Sequence, residues 1–285
     1  MNDRIVDVDW LAERLDAPNV AVVDVRDAWE YEGIGHVPCA VNVPFDTFRA
    51  EEHGAAEAGM LPGADVFAGI AESAGIAPDD EVVAYDDTHG VFAARFLVTA
   101  ELYGHDPARL HLLDGDYSVW NRSQPTTTDA PDGADEEPDE EPDDATDDPY
   151  PADFRTDGPL IDRETMAAAV DDPDATIVDT REEWEYEEGH IPGAVRLDWR
   201  ELVDTDARTV RPEAELRELL GARGIDPDDR VVLYCNTARR ISHTYTVLRA
   251  LDYPEIAFYE GSLTEWEREG GELETGGSET DGSDS

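Results

Sequence analysis

The sequence predicts two tandem α/β domains, each a mainly parallel sheet flanked by helices, and three observations lead there. The 285 residues are too many for one small domain and suit two of roughly 100–150 residues each. Short apolar runs such as VAVVDV, EVVAY and LHLLD alternate with helical patterns, as parallel strands joined by crossover helices do. The two halves also repeat one another in order and in spacing.

Taken in order, Asp9 precedes a helical pattern over 10–15 and is expected to cap it, as Asp162 is expected to cap the first helix of the second half. The segment VAVVDVRDAWEYEGIGHVPCAVNVP at 20–44 matches ATIVDTREEWEYEEGHIPGAVRLD at 175–198. Asp24, Arg26, Trp29, Glu30, Tyr31, His36 and Pro38 thus correspond to Asp179, Arg181, Trp184, Glu185, Tyr186, His190 and Pro192. EVVAYDDTHGVFAARFLVTAELYGHD at 81–106 matches RVVLYCNTARRISHTYTVLRALDYPE at 230–255, whose helical stretch is expected over 242–251. LHLLDGDYSVW at 110–120 then matches IAFYEGSLTEW at 256–266, with glycine and tryptophan equally spaced in both copies. Between the halves, acids, prolines and small residues displace the large apolar side chains. The resulting division is a first domain over 1–124, an acidic disordered linker over 125–157, a second domain over 158–270 and a disordered acidic tail over 271–285.

Seventy Asp and Glu stand against twenty-one basic residues, all arginine, for a net charge of −49. Such a chain repels itself in dilute salt, where screening reaches ~30 Å, and is relieved in molar salt, where it falls to ~3 Å. A salt-rich, halophilic cytosol is the expected setting. The negative field argues against nucleic acid or an anionic membrane surface as partner, since both are recognised by clustered basic side chains. No apolar run approaches the ~18–20 residues of a membrane span, and the first ten residues lack a secretory pattern, so a cytoplasmic location is expected. The two cysteines, Cys39 and Cys235, are too few for a disulfide framework or a cysteine-only zinc site. The histidines show no ligand spacing, so no metal and no cofactor are expected.

Cys235 carries the chemistry. It follows the buried-strand pattern VVLY and precedes a helix expected to begin near Ile241, so Asn236, Thr237 and Ala238 supply the backbone of a tight strand-to-helix loop. Ligands bind at that end of the strands in open α/β sheets. Loop N–H groups, the positive end of the helix and the neighbouring Arg239 and Arg240 all favour a thiolate there. A thiolate so placed can attack and carry a transferred sulfur atom, while arginine forks suit the oxyanionic part of a donor. Arg181 is a further candidate for the donor, although its counterpart Arg26 in the half without this cysteine points equally to pairing with Asp179. Cys39, whose repeat partner is Gly193, reads as a bystander in a turn.

These residues resemble the rhodanese-type sulfurtransferases, in particular the two-domain thiosulfate sulfurtransferases. The resemblance spans both halves. It rests on Asp179 and Arg181, on the GHIPGA segment at 189–194, on VVLYCNTARR, and on Glu260, Gly261 and Trp266. It implies that Cys235 takes a sulfane sulfur from thiosulfate as a persulfide and hands it to a thiophilic acceptor such as cyanide or a thiol. It implies equally that Asp86, aligned with Cys235, marks the first domain as the copy without the catalytic cysteine. Related phosphatases space cysteine and arginine as C-x5-R, whereas here the spacing is C-x4-R, ending at Arg240. Ala238 where many relatives carry glycine, and Glu185 where thiosulfate enzymes often place an arginine, are departures. The donor therefore stays open between thiosulfate and 3-mercaptopyruvate. A persulfide relay to a sulfur-acceptor protein, with little free-substrate turnover, is the other reading.

Overall fold

The computed structural model describes residues 1–50, 61–129, 150, 153–236 and 238–276. In the first domain the strands are β1 (Ile5–Val6), β2 (Val20–Asp24), β3 (Ala40–Asn42), β4 (Glu81–Tyr85) and β5 (Leu110–Leu113). Between them run α1 (Val8–Ala12), α2 (Ala28–Ile34), α3 (Ala64–Ser73) and α4 (Val91–Leu102), and α5 (Asp116–Ser123) follows β5. The second domain holds β6 (Leu160–Ile161), β7 (Ala175–Asp179), β8 (Val195–Arg196), a short hairpin of β9 (Val203–Asp204) and β10 (Thr209–Val210), then β11 (Arg230–Tyr234) and β12 (Ile256–Tyr259). Its helices are α6 (Arg163–Val170), α7 (Glu183–Glu188), α8 (Glu213–Gly221), α9 (Arg239–Ala250) and α10 (Ser262–Arg268). The sheet orders are β1-β5-β4-β2-β3 and β6-β12-β11-β7-β8, so the topology is the same twice. Within both five-stranded sheets every pairing is parallel. The central strands are buried on both faces, which is why they read as unbroken apolar runs rather than alternating ones.

The two halves are joined along α4 and α9. Val98 and Leu102 of α4 belong to the apolar core of the second domain, beside Tyr245 and Leu248. Around them the contact is polar. Arg95 pairs with Glu260 at 2.5 Å, the Tyr245 hydroxyl donates to Glu101 at 2.7 Å, and Arg208 pairs with Asp116 at 2.6 Å.

Several sequence expectations meet a different structure. Asp7, not Asp9, caps the first helix: its carboxylate accepts from the Trp10 N–H at 2.7 Å, and Asp9 lies inside the first turn. Asp162 caps α6 as expected, accepting from the Thr165 N–H at 2.8 Å. The helix after Cys235 begins at Arg239, two residues earlier than Ile241, because Ala238 takes a left-handed φ of 65° and turns the chain at once. The described edges of the linker and tail are packed. Thr127 bridges to His36, and the Arg155 N–H donates to the Leu102 carbonyl at 2.8 Å. Tyr150 is buried against Phe67 and bonded to His105, so an aromatic ring pins the chain where the surrounding composition reads as solvated. Glu274 bridges to His190 in the same manner as Thr127 to His36. The remaining linker and tail residues, 130–149, 151–152 and 277–285, and the loop residue Thr237, lie outside the described residues. Among the described residues no helix is long and apolar enough to cross a membrane.

Candidate active site

β11 ends at Tyr234 and is followed at once by Cys235, 2% exposed. Its backbone is fixed from one side by the start of α10. The Cys235 N–H donates to Ser262 Oγ at 3.3 Å, and its carbonyl accepts from the Leu263 N–H at 2.9 Å. On the other side, Ala238, fully buried, passes the chain into α9, whose first-turn N–H groups have no intrahelical acceptor.

The first domain shows what such a loop does to an anion. Asp86, also buried, occupies the position of Cys235 and accepts from the N–H groups of Thr88, Gly90 and Phe92 at 2.8 Å each and of Ala93 at 3.1 Å. Burial nevertheless pushes its carboxyl up to about 6, against the pull of those four donors. The loop is thus a ring of backbone donors closed around one negative charge.

The three candidate arginines separate. Arg181 is buried and committed: Nε and NH2 grip Asp179, NH2 also donates to the Gly189 carbonyl at 2.6 Å, and NH1 reaches the Asn236 side chain at 3.4 Å. Arg26 repeats this grip on Asp24 and the Gly35 carbonyl. Arg240 is paired with Glu185, whose other oxygen accepts from Asn236 Nδ2 at 2.6 Å. Glu185, 5% exposed, therefore clamps the loop at the first and the fifth residue after the cysteine. Burial opposes its ionisation, yet the Arg240 hydrogen bond holds its carboxyl below the ordinary value.

Arg239 is different. It pairs with no carboxylate among the described residues, and its guanidinium crosses to the first domain, lying 5.8 Å from the Phe45 ring centroid and 5.7 Å from that of Phe92. The Arg239 side chain is exposed; partial desolvation lowers its pKa, Cys235 and then Asp46 oppose that, and the charges of Arg240 and Arg49 add to the lowering. Among the described residues it is the one from the second domain lining a cavity of about 310 Å³ in the first domain, whose wall holds Phe45, Phe92, Arg26 and Arg49 and the carboxylates of Asp27, Glu30, Asp46, Asp86 and Asp87, but not Cys235.

The structure thus brings together Cys235, Asn236, Ala238, Arg239 and Arg240, and ties Arg181 to them only through Asn236. Glu185 was legible as the repeat partner of Glu30, but only as a departure and not as a clamp; Ser262, Phe45 and Phe92 carried no sequence signal. Cys39 is exposed, in a left-handed turn at φ 66° where Gly193 has φ 73°. His36 and His190 stack on Tyr31 and Tyr186 at 3.7 Å, as parts of matching turns.

The rhodanese-like domain family matches this chain twice, over residues 7–123 and 162–269, more than half its length. The chain belongs to the rhodanese-like domain family. A thiosulfate sulfurtransferase of Pseudomonas aeruginosa is 32% identical over 264 residues, covering 90% of this chain and 91% of that one. The sulfur carrier protein TtuD of Thermus thermophilus is 30% identical over 292 residues, covering 92% and 93%. Among solved structures, SseA from Escherichia coli, described as a 3-mercaptopyruvate sulfotransferase with the rhodanese fold, superposes with a TM-score of 0.75 at 23% identity, covering 92% of this chain and 99% of its own. The chain is accordingly a member of a sulfurtransferase family with its fold built twice.

Proposed function

We propose that this rhodanese-family protein transfers a sulfane sulfur from thiosulfate to a thiophilic acceptor through a persulfide on Cys235. The observation that carries the reading is Arg239, an exposed guanidinium that has no ion pair with a carboxylate among the described residues, close enough to the buried Cys235 to act on it electrostatically. In the first half-reaction the Cys235 thiolate attacks the outer sulfur of thiosulfate. The new S–S bond forms as the bond to the sulfonate sulfur breaks, and sulfite leaves with that electron pair. In the second, cyanide attacks the terminal sulfur, leaves as thiocyanate and returns the thiolate.

Each residue has a part. The first-turn N–H groups of α9, equivalent by the repeat to those that hold the Asp86 carboxylate, stabilise the thiolate and the persulfide. Arg239 binds the donor's oxyanion. Arg240 and Arg181, both candidates for the donor, act instead by positioning: Arg240 through the Glu185 clamp, Arg181 through Asn236. The lysine-free acidic surface supports a cytoplasm rich in salt, and the relation to a sulfur carrier protein supports an acceptor that is itself a protein thiol.

Intact-mass analysis in molar salt after adding thiosulfate tests the reading. Wild type should gain one sulfur, about 32 Da, and Cys235→Ser none. A gain with 3-mercaptopyruvate alone would move the donor assignment. No gain with either donor would leave only transfer from a protein partner.

A further inference from the structure

We infer that Phe45 and Phe92 of the first domain form an aromatic seat that positions Arg239, so that the domain lacking the cysteine builds half of the donor site. The inference rests on Arg239 being the donor's anion contact and adds to it the device that aims it. The two rings lie 4.8 Å apart at an interplanar angle of 59°, and the Arg239 guanidinium carbon is almost equidistant from both. Phe45 begins the 3-10 turn Phe45–Phe48 after β3, and Phe92 stands in the first turn of α4.

What fixes Phe92 is the carboxylate that replaced the nucleophile. The Phe92 N–H donates to Asp86 Oδ2 at 2.8 Å, so the ring's backbone is bonded directly to the loop anion. Asp86 also lines the same cavity. The Phe45 ring is shared: Arg49 lies 5.6 Å from its centroid and is itself paired with Asp46 at 2.9 Å, while Arg239 makes no ion pair among the described residues. An arginine side chain otherwise has freedom to swing into solvent, particularly toward the acidic surface of this chain. A cation held against two ring faces keeps its charge while losing that freedom before the donor arrives. The domain interface thereby becomes part of recognition: if the halves separate, the Cys235 loop stays with the second domain and the seat leaves with the first.

The experiment alkylates Cys235 in the full chain in molar salt, using iodoacetate and iodoacetamide in parallel and reading the Cys235 peptide by mass so that Cys39 does not enter. The reagents differ in charge, so the ratio of their rates reports anion steering by Arg239 whether or not thiosulfate is the donor. Phe45→Leu and Phe92→Leu, singly and together, should lower the iodoacetate-to-iodoacetamide ratio roughly 2- to 5-fold, the range for loss of a cation–aromatic contact at an exposed arginine. Phe92→Tyr should keep it. On an Arg239→Ala background, where the ratio is already low, the leucine substitutions should lower it no further. A ratio unchanged in the leucine variants, or one that falls again without Arg239, overturns the seat. Absence of persulfide in wild type with both small donors, by contrast, overturns sulfur transfer from free thiosulfate or 3-mercaptopyruvate and leaves this ratio to stand or fall separately.

Discussion

Replacing Glu260 by Gln should destabilise the whole molecule. The Arg95 side chain of α4 is 1% exposed, the Glu260 side chain 8%, and the two meet at 2.5 Å across the domain interface. Removing the Glu260 carboxylate takes a contact away from a buried guanidinium that has a further interaction as well, at a cost of up to about 3–5 kcal/mol. For chains somewhat smaller than this one, each kcal/mol lowers the melting temperature by roughly 2–4 °C, so the expected drop is up to about 6–20 °C. The assay is thermal unfolding followed by circular dichroism in molar salt, where surface pairs are screened and this pair is not. A companion variant, Arg95→Met with Glu260→Leu, removes both charges while keeping volume and should recover most of the loss. A drop below about 3 °C in Glu260→Gln, corresponding to less than ~1 kcal/mol, would refute the reasoning. A double variant that melts below the single one would refute it as well.

Two further outcomes follow from single residues. Ala238 holds a left-handed φ of 65° that costs a residue with a side chain roughly 1–2 kcal/mol, so Ala238→Gly, after the entropy glycine loses, should stabilise by about 0.5–1 kcal/mol in a denaturant titration. His243 is fully buried beside Trp199, and burial, followed by the neighbouring His89, pushes its imidazole from 6.5 down to about 4. The unfolded chain therefore takes up the proton first as the pH falls: the neutral form's contribution is complete above 6.5 and is lost between 6.5 and 4, up to about 3 kcal/mol. Asp86, raised to about 6, works in the opposite sense over the same window, so the quantity to measure is the difference between wild type and His243→Leu across pH 7 to 4. That difference should narrow or reverse on acidification, and a difference independent of pH would refute the assignment.

The duplicated sheet was legible because its strands are buried on both faces and leave unbroken apolar runs such as EVVAY and RVVLY, and because the same runs recur in the same order. Cys235 stood out because it follows the buried-strand run VVLY at a strand-to-helix loop with two arginines beside it. The division of labour among the arginines was not. Arg239 and Arg240 are adjacent, and neighbouring positions on a helix point about 100° apart, so a shift of two residues in where α9 begins decides which one faces the first domain and which one Glu185 captures. That start depends on Ala238 adopting a left-handed turn, which no alanine advertises. Tyr150 and the segment around Glu274 escaped for a related reason: each packs a few residues of an otherwise acidic stretch onto a partner distant in sequence, Tyr150 on His105 and Glu274 on His190.

Asp86 and Cys235 stand at the same position of the two copies, and their loops are held in different ways. A loop that closes backbone donors around an anion is stable only when an anion is present. In the first domain the anion is covalently part of the chain, and four hydrogen bonds make that loop a rigid support. In the second, the persulfide cycle proposed above changes the occupant at every turnover, so the loop is held instead from outside, by Glu185 at Asn236 and Arg240 and by Ser262 at the Cys235 N–H. Glu30, the counterpart of Glu185, has Val91 where Glu185 has Arg240, so the same clamp is missing where the carboxylate makes it unnecessary. Arg239, at the start of α9 just after the Cys235 loop, then reaches the ring of Phe92, whose backbone is bonded to the Asp86 loop.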